Sequence, residues 1–190
     1  MATAPVPYDP LTLAAGTTLH RIQRTRPLPT TVTIGPVRLP PAGSMLGRFD
    51  LPSSHCAAFA LDELTAALET VARRNALAIS RTALAQRELL SVRTNAPLTL
   101  ADLRPHTAAW PLLIADRYGP TQALSAHARA SRYDGVVYLS AQQHLGECVA
   151  LFGPAIHHVT GGAVPLISAV GGLHRAIMHA LMGTLLPLVP

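Results

Sequence analysis

The pattern of the chain points to an α+β domain, on three observations. Seventeen prolines and thirteen glycines among 190 residues cut the chain into short elements, which excludes a long-helix bundle or coiled coil. Segments of helical spacing, such as Leu61, Leu64, Leu68 and Val71, alternate with β-branched runs such as Val136-Val137-Tyr138-Leu139. Hydrophobic residues make up 49% and charged residues 13%, so a disordered chain is excluded; with only 4% aromatics, the core must be built from Leu, Val, Ile and Ala.

The elements follow in order. Residues 1–18 are polar and punctuated by proline, and read as a flexible arm. Structure begins at Leu19-His20-Arg21-Ile22. Residues 31–34 form a short edge strand between prolines, and a glycine-rich turn passage then runs to His55. Residues 56–61 read as a strand, and Asp62 caps the helix that follows, with Asn75 expected to close it. Residues 77–80 and 88–92 are two strands separated by a turn or half-helix, whereas residues 98–103 after Pro97 are ambiguous. A second helix is expected over residues 123–130. The turn Tyr133-Asp134-Gly135 feeds a strand ending at Ser140, and residues 147–152 make its antiparallel partner. The expected organisation is an arm over 1–18, a domain over 19–153, and an apolar C-terminal extension over 154–190 with a helix at 173–186.

Several function classes are disfavoured. The net charge is +5 and every basic residue is an arginine, but the arginines are scattered and Arg73-Arg74 is the one adjacent pair. A nucleic-acid footprint needs a clustered basic face, so no direct nucleic-acid partner is expected. Cys56 and Cys148 lie far apart outside any Cys-x-x-Cys pattern, which suggests neither a zinc site nor a disulfide framework. The N-terminal residues lack a basic region and an apolar signal core, so the expected location is the cytoplasm. His174 and His179 are five residues apart, ~140° around a helix, and no metal is expected. The apolar stretch at 173–186 is interrupted by His174, Arg175 and His179 and falls short of the ~20 residues of a membrane span. The paired glycines lack a dinucleotide or P-loop spacing, and Gly43-Ser44-Met45-Leu46-Gly47 is not a nucleophile elbow.

Four residues stand out, each with a plain alternative. Glu69 lies on the Asp62 helix, where it can pair with Arg73 one turn on as a surface ion pair. Arg48 follows a glycine turn and can pair with Asp50. Arg21 sits in a strand, and Ser140 can cap a turn. Their contexts are more specific than their identities. The first block is Leu19-His20-Arg21-Ile22; the second is Gly47-Arg48-Phe49-Asp50 followed by residues 58–69, ending in Glu69. The third runs from Tyr118-Gly119-Pro120-Thr121-Gln122 through residues 133–140 to residues 147–152. In this order and spacing the chain resembles the RES-domain family, the toxin half of RES–Xre toxin-antitoxin modules.

The resemblance implies an ADP-ribosyltransferase-like fold: a mixed β-sheet core with flanking helices, in two packed β layers around a cleft for NAD. It also implies an enzyme for which NAD is the substrate and the nicotinamide–ribose bond is broken. Breaking that bond builds oxocarbenium-like charge on the ribose, which a fixed carboxylate stabilises, and Glu69 matches the family glutamate. Arg21 and Arg48 match the family arginines, and guanidinium suits a pyrophosphate. Ser140 matches the family serine, placed to bond the ribose or steady Glu69; no histidine matches the role of its base, so it is not read as a nucleophile. The catalytic set is then Glu69, Arg48 and Ser140, and the NAD-binding set Arg21, Arg48, Phe59 and Ser140. The family commonly carries a tyrosine about eleven residues before the glutamate. Here Ala58 stands there with Phe59 beside it, so the ring is either kept without its hydroxyl or absent. Leu139 and Ala141 likewise stand where proline and arginine are common.

The implied function is a toxin that depletes NAD by hydrolysis or phosphorolysis, restrained by a helix-turn-helix antitoxin through which it could also oligomerise. Two alternatives stay open: ADP-ribosyl transfer to a macromolecule, and a catalytically lapsed relative that holds a partner through its C-terminal helix.

Overall fold

The structure is a computed structural model that describes residues 8–73, 75–114 and 118–190, except for the side chain of Leu112. Residues 1–7 of the expected N-terminal arm, and Arg74 of the adjacent arginine pair, lie outside the described residues. In the first half of the chain the elements are β1 (Asp9–Leu13), β2 (Thr18–Arg24), β3 (Val32–Ile34), β4 (Val37–Leu39), β5 (Cys56–Ala60), α1 (Glu63–Thr70), β6 (Ile79–Ser80), α2 (Arg81–Ala85) and β7 (Arg87–Thr94). Then come β8 (Leu98–Asp102), α3 (Gly119–Ala130), β9 (Gly135–Leu139), β10 (Glu147–Phe152), β11 (Val159–Pro165), α4 (Arg175–Thr184) and β12 (Leu188–Val189).

Eight strands form one mixed sheet in the order β1-β8-β9-β10-β5-β2-β7-β11. Every neighbouring pair is antiparallel except β8 and β9. Parallel neighbours need a long crossover, which the stretch carrying α3 supplies. The expected α+β class, a mixed sheet with flanking helices, is the architecture observed. Instead of two separate layers, one continuous sheet buries both faces. Along β10, Cys148, Ala150 and Phe152 enter the core beneath α1 and α4, while Val149 and Leu151 enter a second core closed by the β3–β4 hairpin through Val37 and Leu39. A strand covered on both sides reads as a continuous apolar run, as residues 148–152 do.

Asp62 caps α1 as its type predicts, accepting the Thr65 N–H at 2.8 Å. The helix ends sooner than Asn75, however. At Val71 φ falls to −117°, and the Ala72 N–H reaches back to Ala67 O at 3.1 Å, which turns Ala72 into the core. α3 starts at Gly119, ahead of the expected 123, because Pro120 is suited to a first helical turn. The expected arm is also partly structure, since β1 pairs with β8 along residues 9–13. Nor does the sheet stop at 153: β11 pairs with β7 over seven residues of the expected extension. That pairing depends on Gly161, where a Cβ would lie 2.1 Å from Ser91 O. α4 falls within the apolar stretch and is tied to α1 by a two-pronged Arg175–Glu63 pair at 2.8 and 3.1 Å. Among the described residues no helix is long and apolar enough to cross a membrane.

Candidate active-site cleft

The cleft follows from the sheet. β2 and β5 share one registered pair, His20 with Ala60, and are not paired beyond it. Leu61 donates its N–H to Glu147 O on the β10 side, so the alternate residues Ala60 and Ala58 aim their backbone groups toward β2. With no strand partner there, Ala58 O accepts from Arg21 Nη1 at 2.8 Å. Among the described residues the resulting cleft of about 800 Å³ is lined by six arginines, Arg21, Arg24, Arg38, Arg48, Arg73 and Arg87, and by one carboxylate, Glu69. Such a wall attracts anions.

Glu69 ends α1 and faces the loop after β9. Its Oε1 accepts from Ser140 Oγ at 2.5 Å, from Ala141 N at 3.0 Å and from Gln142 N at 3.4 Å. The contacts described for Glu69 all fall on Oε1, which leaves Oε2 for a ligand. The same loop meets the start of α1, where Thr65 Oγ1 lies 2.5 Å from the Gln143 side-chain amide. The expected ion pair with Arg73 does not form, because α1 has ended before that residue; Arg73 Nη2 instead donates to Tyr118 Oη at 3.4 Å. Ser140 is 6% exposed and does not line the cleft. Its hydroxyl donates to Glu69 and accepts from Gln142 N and Gln143 N at 3.0 Å each.

Arg48 is placed by α3. Thr121 Oγ1 donates to Arg48 O at 2.6 Å, and Gln122 Nε2 donates to Gly47 O at 2.9 Å and Met45 O at 3.1 Å. Asp50, the expected partner of Arg48, accepts the Gly47 N–H at 2.7 Å and shapes the turn instead. Arg48 Nη1 donates to Leu113 O at 2.5 Å, and its guanidinium lies 5.7 Å from the Tyr118 ring centre. Arg21 is half-buried; burial lowers its pKa against the opposing fields of Cys56, Tyr138 and Asp50, yet a guanidinium remains cationic in any case. Phe59 borders the cleft but is 3% exposed, its ring packed in the second core with Leu39 and Leu90. The period of two along β5 sends Ala58 to the opposite face from Phe59. Both residues reach the cleft, Ala58 exposed and Phe59 almost wholly buried.

Tyr138 is a cleft residue that no motif marked, although it lies on β9 only two residues before Ser140. Tyr138 lines the cleft and packs against Phe49 with ring centres 4.3 Å apart. Burial raises its phenol pKa well above the usual value; Cys148 and Glu69 add to the rise and Arg48 opposes it. Tyr118 and His20 also line the cleft, the latter with Nδ1 3.0 Å from Ser91 Oγ and a pKa lowered by burial. Cys56 and Cys148 are free thiols whose pKa burial raises, the opposite of what a nucleophile requires. Among the described residues no group of three His, Cys, Asp or Glu could hold a metal.

The RES domain family profile matches residues 18–166, from β2 through β11. In structure the chain is similar to one from the crystal structure of the M. tuberculosis MbcT–MbcA toxin-antitoxin complex. The TM-score is 0.59 at 16% identity, covering 80% of this chain and 85% of that chain, so the likeness is one of fold. No curated protein matches the sequence.

Proposed function

Because the chain belongs to the RES domain family, we propose that it is the toxin of a toxin-antitoxin pair, binding NAD in the cleft and cleaving its nicotinamide–ribose bond. One observation carries this reading: the Glu69 carboxylate, clamped through a single oxygen, stands in a wall of arginines, the one carboxylate lining the cleft among the described residues. The arginines suit the pyrophosphate, with Arg21 and Arg48 as its holders. As the C–N bond breaks, its electron pair leaves with nicotinamide and positive charge develops on the ribose. Glu69 Oε2 supplies the opposing charge, and because Oε1 is already fixed, little reorganisation is needed as that charge appears. Ser140 acts through Glu69 as a positioning residue, since its hydroxyl is spent on the carboxylate and two loop N–H groups. The acceptor of the ribosyl cation, whether water, phosphate or a side chain, decides between depletion and ADP-ribosyl transfer.

The test is nicotinamide release from NAD by the purified chain. Glu69→Gln keeps an acceptor for Ser140 and removes the charge, and release should fall at least ~100-fold. No release by the wild type, or equal release by the variant, would refute the reading. Labelled NAD separates the outcomes: transfer leaves label on a macromolecule, depletion leaves free ADP-ribose or its phosphate. An antitoxin partner is part of the proposal, supported by the complex in which the structural relative was solved, and the helix-turn-helix type is what the family resemblance implies for it. Co-expression with such a partner should suppress release.

A further inference from the structure

In the β2–β7 ladder Arg24 stands directly opposite Arg87, and both line the cleft. Like charges facing each other across a sheet destabilise it. Among the described residues no carboxylate pairs with either. The carboxylate next to them in sequence, Glu88, stands opposite Gln23 in register and therefore leaves from the other face of the ladder. It is also engaged there, accepting from Arg38 Nη1 at 2.6 Å and Gln23 Nε2 at 2.9 Å. Arg38 also lines this end of the cleft, but Glu88 meets its charge and its Nη1 also donates to Arg24 O at 2.5 Å, so Arg24 and Arg87 are left as the facing pair. Arg87 is half-buried, and burial together with the field of Arg24 lowers its pKa. A repelling pair of this kind is relieved by a dianion lodged between the two forks, which are shaped for phosphate oxygens.

We propose that Arg24 and Arg87 form a subsite for a dianionic phosphate group, at the end of the cleft where β2 pairs with β7. The subsite itself needs only the cleft, whereas the identity of the phosphate rests on the dinucleotide reading above. The group is either carried by the dinucleotide, as the additional phosphate of NADP, or is free phosphate.

The experiment titrates inorganic phosphate into the full chain at low ionic strength, following ³¹P linewidth and thermal unfolding, for the wild type, Arg24→Gln, Arg87→Gln and the double variant. Arg132→Gln, on an exposed residue away from the cleft, is the control. Phosphate should broaden and raise the Tm of the wild type. Each cleft substitution should weaken that response at least ten-fold, while the control leaves it unchanged. Without phosphate the cleft variants should unfold at the same or a higher temperature, since repulsion has been removed. An unresponsive wild type, an unaffected double variant, an equal loss in the control, or a lower Tm of the phosphate-free cleft variants would each overturn the subsite. Comparing NADP with NAD then assigns the source. Tighter NADP binding that Arg87→Gln abolishes means the dinucleotide carries the phosphate, and equal binding means it is free. Nicotinamide release is scored separately, so a chain that binds phosphate but cleaves no NAD refutes the activity and leaves the subsite standing.

Discussion

Removing the Ser140 hydroxyl tests how Glu69 is held. In Ser140→Ala, Glu69 Oε1 loses its 2.5 Å donor and keeps Ala141 N at 3.0 Å, while the Gln142 and Gln143 N–H groups lose their 3.0 Å acceptor. A hydrogen bond to a carboxylate is worth about 1.5–3 kcal/mol, and leaving a donor unmet at a site only 6% exposed costs about 1 kcal/mol or more. Stability should therefore fall by about 2–4 kcal/mol in urea unfolding. If about 2 kcal/mol of the lost interaction was orienting Glu69 in the transition state, kcat drops roughly 30-fold. KM for NAD should stay within a factor of about two, because the hydroxyl does not line the cleft. A raised KM with unchanged kcat would place Ser140 against the ligand and refute the positioning role; unchanged stability would refute the hydrogen-bond geometry.

Other perturbations read other parts of the molecule. Gly135→Ala puts a Cβ 2.2 Å from Ala150 O inside the β9–β10 pair, so it should cost at least about 2 kcal/mol in urea unfolding. Phe152→Ala, at a fully buried ring, should cost about 3–5 kcal/mol, and a smaller loss would mean that the core beneath α1 collapses to fill the space. Asp102 shows an acid dependence: burial works to raise its pKa, but hydrogen bonds from Arg104, at 2.9 Å from Nε and 2.7 Å from Nη2, bring it below the ordinary value. A carboxyl depressed in the folded state contributes stability above its unfolded pKa of ~3.9 and loses it as pH falls through the lower folded value. Arg104→Leu should therefore flatten the stability profile below about pH 4, and an unchanged profile would show that the pair carries none of the acid dependence.

Much of this molecule was legible locally. Asp62 as a cap, the runs at 136–140 and 147–152, and the punctuation by proline and glycine are set by backbone periodicity and near-neighbour chemistry, and the structure keeps them. The glutamate and serine of interest also sat in recognisable contexts. Their relation did not. Nearest-neighbour reasoning paired Glu69 with Arg73, whereas the fold pairs it with Ser140, 71 residues away, because α1 stops short and the loop after β9 delivers three donors to one oxygen. Element ends suffered likewise: β1 and β11 carry weak patterns of their own and exist because β8 and β7 offer edges to pair with. Phe59 borders the cleft while its ring packs in the second core, and Tyr138 of β9 lines the same cleft although no motif marked it. The sequence by itself determined most of the central strands and the helix capped by Asp62, and it set Arg21, Arg48, Glu69 and Ser140 in recognisable contexts. Tertiary structure alone decided where β2 leaves β5, and which arginine faces which, because register between distant strands is set by closing long loops over two shared cores and leaves no local trace.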